Sequence, residues 1–199
     1  MSHIFYVARL TGPAFAALAA ICLVLSGCTT TGSESQANTG AQQREIDAGI
    51  EATLSRLYKS APASQQLAQR AEGILVFPSV LSASFGVGAQ YGDGALRVAG
   101  KTVDYYTMTA GSVGFQAGAQ SKAVVFMFMT PDSLEKFRKS NGWTVGADAT
   151  VAVAEMGATG AIDTQTMQQP IVGFVLSNAG LMAGVSLQGS KISPKKLPA

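Results

Sequence analysis

Apolar residues recur along this chain with two different periods, and the change between them divides it. Over residues 42–59, Ile46, Ile50, Thr53, Leu54 and Leu57 fall on one stripe of a 3.6-residue period. Arg44, Glu45, Asp47, Glu51 and Arg56 mostly fill the remaining surface, so the spacing predicts an amphipathic helix. A shorter helix is predicted over 63–71, after Pro62 and ending at Gly73. From Gly73 the period becomes two. In "SASFGVGAQYGDG" (82–94), Ala83, Phe85, Val87, Ala89 and Tyr91 share one face. Ser84, Gly86, Gly88, Gln90, Gly92 and Gly94 share the other, which carries almost no side chains.

The same alternation returns in "GSVGFQAGAQ" (111–120), "WTVGADATVAVA" (143–154) and "GLMAGVSLQG" (180–189), each read as a strand. The first two Gly-rich strings both end in F-x-x-G-A-Q, thirty residues apart. Glycine weakens a strand unless another backbone approaches closely or the sheet bends sharply, so these strings predict a tightly curved or closely stacked sheet. "AVVFMFM" (123–129) and "IVGFVL" (171–176) lack alternation and read as strands buried on both faces. Thr130 and Pro131 mark the N-cap and first turn of a helix running to Ser140, which Asn141-Gly142 ends. "SNAG" (177–180) reads as the turn of a hairpin joining 171–176 to 181–188.

The N-terminus belongs to a different class. Residues 13–25, "PAFAALAAICLVL", are unbroken apolar sequence, short for a bilayer span and of the length of a signal-peptide core. They lead into Leu25-Ser26-Gly27-Cys28, a lipobox, which makes residues 1–27 a lipoprotein signal peptide and Cys28 the lipidation site. The alternative is an uncleaved anchor with an incidental cysteine. Residues 29–40, "TTTGSESQANTG", have no hydrophobic period and read as a flexible tether spanning roughly 20 Å. Thr29 gives no retention signal of the Asp type, which points to the periplasmic face of the outer membrane. The expected organisation is signal peptide 1–27, lipidated cysteine and tether 28–41, one domain 42–195, and a tail 196–199.

Composition then removes most chemistry. His3 and Cys22 leave with the signal peptide and Cys28 becomes a thioether, so no histidine or free thiol remains for a catalytic triad, a Cys/His zinc site or a disulfide. Without Arg9, 13 cations face 12 anions, which gives no basic excess for nucleic acid. Gly86, Gly88 and Gly92 are one residue too widely spaced for a dinucleotide loop, and alternation continues where a helix must begin. Gly94 to Gly100 misses the P-loop spacing in the same way. The glycines are read as packing devices. Asp148, Glu155 and Asp163 are the remaining carboxylates that could serve catalysis, with Asp148 expected mid-strand; nothing in their spacing demands it, and no enzyme, cofactor or metal is expected. Arg97, Lys101 (in the turn after Arg97) and Lys122 are candidate contacts for anionic lipid headgroups. The stripe Ile46, Ile50, Leu54 and Leu57 either packs on its own core or faces a membrane. Its mixed-sign polar face favours the core.

Four strings, "AEGILVFPSVLSASFGVGAQYGDGALR", "GSVGFQAGAQSKAVVFMFMTPDSLEKF", "GWTVGADATVAVAEMGATG" and "GLMAGVSLQGSKISP", stand in the order they take in the SYLF domain. The resemblance covers about residues 43–195. It implies non-enzymatic phospholipid binding, with phosphoinositides favoured and actin regulation attached in some eukaryotic members. Actin is not an expected partner in a bacterial envelope. Fold class and function follow: α+β, N-terminal helices on a Gly-rich, strongly curved, mostly antiparallel sheet of sandwich or barrel type, in an envelope lipoprotein that binds phospholipid membrane. The alternative is a structural lipoprotein whose domain docks an envelope protein.

Overall fold

The computed structural model describes residues 33–155 and 162–196, without the side chains of 33–37, 84–87 and 112–118. Helix α1 (Ser33–Ser60) is followed by α2 (Ala63–Arg70), and two very long strands, β1 (Gly73–Val98) and β2 (Lys101–Phe128), form an antiparallel hairpin. Then come α3 (Pro131–Lys139), β3 (Trp143–Thr144), β4 (Ala152–Val153), α4 (Thr164–Met167), β5 (Ile171–Ser177), β6 (Gly180–Leu181) and β7 (Lys191–Pro194). The sheet runs β3-β7-β2-β5-β4, with β1 on β2 and β6 on β5. Only β4 and β5 are parallel among the named strands. The whole is a single domain whose sheet curls into a half-barrel.

The hairpin turns at Ala99-Gly100, both at positive φ (49° and 77°), the conformation of a two-residue turn that follows the twist of its strands. It then folds over itself. A methyl group on Gly94 would collide with the Val76 carbonyl oxygen, and one on Gly92 would stand 2.7 Å from the Ser79 carbonyl oxygen. Residues 92–94 therefore lie directly on 76–80 of the same strand, and the side-chain-free face makes that contact possible. The bend between these stretches is 81–91, carried by 109–121 of β2. The ladder slips at Phe77/Val80, where Pro78 has no N–H to donate, and again at Ser84/Gly86.

Strands buried on both faces separate two cores. Leu75, Phe77, Val124, Phe126, Phe128 and Val175 join Phe137 and Trp143 on the concave side. There Trp143 stands edge-on to Phe126 at 5.9 Å and to Phe137 at 5.5 Å. Val76, Val125, Met127, Val172, Phe174 and Leu176 point the other way, onto Ile46, Ile50, Leu54 and Leu57 of α1 and Leu67 of α2. Burial on both faces is the pattern expected for 123–129 and 171–176. Thr130 caps α3 as its sequence predicts, its hydroxyl accepting the Ser133 N–H at 3.3 Å.

Three expectations are corrected. Residues 33–40 are helical rather than a tether, because extending an existing helix fixes one residue per hydrogen bond and only nucleation is costly. The string 143–154 is not one strand. Gly146 sits at φ 88° and the Asp148 carboxylate accepts the Thr144 N–H at 2.6 Å, closing a turn between β3 and β4, so Asp148 is not mid-strand. The string 180–189 joins the ladder only through Gly180 and Leu181. Gly184 and Gly189 take positive φ (68° and 76°), and the Gly184 N–H is captured by Glu155 at 2.8 Å. Alternation survives in both strings as buried Trp143, Val145, Val151 and Leu187, but the ladder does not.

Candidate functional site

The bend is the part of the sheet with the fewest neighbours. β5 pairs with 123–128 of β2 and β7 with 106–109, so among the described pairings 110–121 has β1 alone. Residues 81–91 and 109–121 thus form a two-stranded ribbon leaving the half-barrel. Its faces are assigned by the parity of the sequence. Gly88, Gly92 and Gly94 are buried, whereas Leu81, Ala83, Ala89 and Tyr91 are exposed. Leu81 is 61% exposed and Tyr91 51%, the most exposed large hydrophobic side chains among the described residues. The glycine face turns inward because only it can approach the 76–80 backbone. Leu81, Ala83, Ala89 and Tyr91 are then left facing outward.

A cleft of about 440 Å³ lies at the ribbon base, between Gln42, Glu45, Ile46 and Gly49 of α1 and Pro78, Leu81, Tyr91 and Asp93 of the hairpin. Asp93 is held there by Lys195, by the Thr107 hydroxyl at 2.7 Å and by the Tyr91 hydroxyl at 3.1 Å. Burial alone would raise the Asp93 pKa. The hydrogen bonds from Lys195, Thr107 and Tyr91 and the Lys195 charge outweigh it and hold the carboxyl below the ordinary range.

The sequence candidates separate. Lys122 sits at the ribbon base opposite Val80, and burial holds its ammonium below the usual lysine range. Arg97 is engaged instead: its guanidinium donates to Glu51 at 2.6 Å and to the Gly100 carbonyl at 2.8 Å. Lys101 is exposed and opens β2 just past the turn. Ile46, Ile50, Leu54 and Leu57 are at most 7% exposed, so the stripe packs on the core and α1 has no free apolar face there for a membrane. Asp148, Glu155 and Asp163 each accept a backbone N–H, of Thr144, Gly184 and Thr166 respectively. Cys28 lies outside the described residues. Leu81 and Tyr91 were missed as candidates, since alternation reports two faces without saying which one meets solvent.

Among the described residues, no helix is long and apolar enough to cross a membrane, and no three His, Cys, Asp or Glu side chains are placed to hold a metal ion. No curated protein matches the chain. Residues 109–197, from the ribbon's second strand through β7, match the family model Ysc84, described as Las17-binding protein actin regulator. Over these residues the chain is similar to the Ysc84 family, which is consistent with the SYLF-domain resemblance of its motifs.

Proposed function

We propose that this protein is an envelope lipoprotein, anchored through Cys28 on the periplasmic face of the outer membrane, whose domain binds phospholipid without catalysing a reaction. The observation that carries this reading is the outward apolar face of the bend, with Leu81 and Tyr91 exposed. Two large apolar side chains exposed on one cleft mark a place of contact. The lipobox at 25–28 supplies the membrane, and the family resemblance supplies the ligand class. Two acyl chains on Cys28, at about 0.8 kcal/mol per buried CH₂, make that anchor firm, so the domain's own contact acts on a surface already at hand. Of the three candidate cations, Lys122 is the one at the ribbon base; Arg97 is occupied by Glu51.

The test is flotation of the unlipidated chain, residues 28–199 carrying Cys28→Ser, with vesicles of phosphatidylethanolamine, phosphatidylglycerol and cardiolipin at physiological salt. Binding that rises with the anionic fraction is expected. Lys122→Ala weakens it by about 1 kcal/mol, near fivefold. Flotation with no vesicle leaves Cys28 as the sole membrane contact, overturns lipid binding by the domain, and moves the search to an envelope protein partner.

A further inference from the structure

The geometry points to the β1–β2 ribbon, residues 81–91 with 109–121, as the element that enters the bilayer surface, held at headgroup depth by α1. The inference rests on the lipoprotein reading above and adds the orientation of the domain and the segment that touches lipid. Three observations converge on it.

The first is charge. From Leu81 to Tyr91 and from Thr109 to Ser121 there is not one Asp, Glu, Lys or Arg, and ionisable side chains resume immediately outside, at Asp93 and Lys122. Exposed strand edges are normally guarded by charges or prolines against pairing with other chains. This ribbon has two open edges, an outward apolar face and no such guard, so in its working state something covers it.

The second is position. The N-terminal half of α1 meets the ribbon base, where Gln42, Glu45 and Ile46 line one cleft with Leu81 and Tyr91. The C-terminal half of α1 meets the opposite end of the hairpin, where Ser55 and Tyr58 face Ala99 and Gly100. The helix therefore leaves the body at the ribbon end, and its 28 residues make a strut about 42 Å long. Cys28 is five residues before Ser33, so even a fully extended chain keeps it within about 18 Å. The anchored end and the uncovered ribbon share one side of the molecule, which selects the bilayer as occupant.

The third is depth. Among the described residues, the ribbon's outer edges carry backbone N–H and C=O groups with no strand beside them. Such groups are not tolerated in hydrocarbon, but the headgroup layer and its water can satisfy them. The exposed Ala83, Ala89 and Tyr91 suit that layer, where tyrosine hydroxyls remain wet.

The experiment places one environment-sensitive fluorophore on the mature lipidated protein at Leu81→Cys, Tyr91→Cys or Gln66→Cys, the last on α2 at the far end of α1, in vesicles of the three lipids named above. Probes at 81 and 91 are expected to be quenched by a lipid-borne nitroxide, and the probe at 66 by aqueous iodide. A second variant, unlipidated Leu81→Asp/Tyr91→Asp, is expected to lose about tenfold in flotation. If the protein is on the vesicles but all three probes answer iodide alike, the ribbon does not touch lipid and the inference falls while the lipoprotein reading stands. A shift at 81 that appears without vesicles and grows with protein concentration identifies a second copy as the occupant and overturns the inference. If Cys28 carries no acyl chain and nothing associates with vesicles, the reading beneath the inference fails with it.

Discussion

At Gly94 the backbone of β1 lies directly against its own earlier residues. The Gly94 position leaves no room for a methyl group, because the Val76 carbonyl oxygen occupies that space and carbonyls cannot rotate away inside a ladder. Gly94→Ala is expected to cost about 3 kcal/mol, the upper part of the usual overpacking range, in a urea unfolding series. Gly111 lies in the same hairpin with nothing within 4 Å of an added methyl, so Gly111→Ala leaves the midpoint unchanged or slightly raised. Equal effects at the two positions would mean that strand entropy, rather than the fold-over, determines where glycine is needed.

At the scale of elements, α1 is held to the sheet by more than its apolar stripe. Asp47 accepts hydrogen bonds from the Thr102 hydroxyl at 2.8 Å and the Tyr105 hydroxyl at 3.1 Å. Burial, then the Asp47 charge and its hydrogen bond, push the Tyr105 pKa up to about 12. A raised value means that this contribution to stability is complete below about pH 10 and is lost as the pH climbs through 12. Asp47→Ala is expected to lower the Tyr105 midpoint in an ultraviolet titration while α1 stays docked through Ile50 and Leu57; an unmoved midpoint would show that burial alone sets it. Helices were legible in the sequence because period and capping residues agree: the stripe at Ile46 to Leu57 is the buried one, and Thr130 caps α3. Strands were legible only where alternation had a partner ladder. Trp143, Val145 and Val151 alternate yet point inward from a turn, since Gly146 and Asp148 give the backbone a local alternative to pairing. The reach of α1 back to Ser33 was hidden for another reason, as residues 33–40 are polar on every side and carry no periodic signal.

For the whole molecule, the C-terminus closes the structure. Lys195, just past β7, reaches Asp93 in the cleft, with the two side chains 13% and 15% exposed. Because the folded carboxyl titrates below its ordinary range, the stabilisation is present above about pH 4 and is lost as the pH falls through the lower folded value. Asp93→Asn is expected to flatten the acid limb of a stability-versus-pH curve, and Lys195→Met to lower stability mainly above pH 4. An acid limb unchanged by both would sever this pair from the protein's acid sensitivity. Of the candidate site, the sequence carried the ribbon's two faces and its lack of charge. It did not carry their orientation, which depends on a contact between residues 76–80 and 92–94 of one strand, made only when the hairpin folds over.

The Ala99-Gly100 turn fixes an order of assembly. Its first rung, Val98 with Lys101, closes a loop of two residues, and each later rung closes only one step beyond the last, out to Gly73 with Phe128. More than half of the sheet can therefore zip from one nucleus without a large entropy barrier. β5 and β7 add themselves to a β2 that already exists, and β7, at 106–109, comes from the chain's other end. A polypeptide emerging N-terminus first can complete the hairpin before β7 has arrived, and the 106–109 edge of β2 stays open until residues 191–194 reach it.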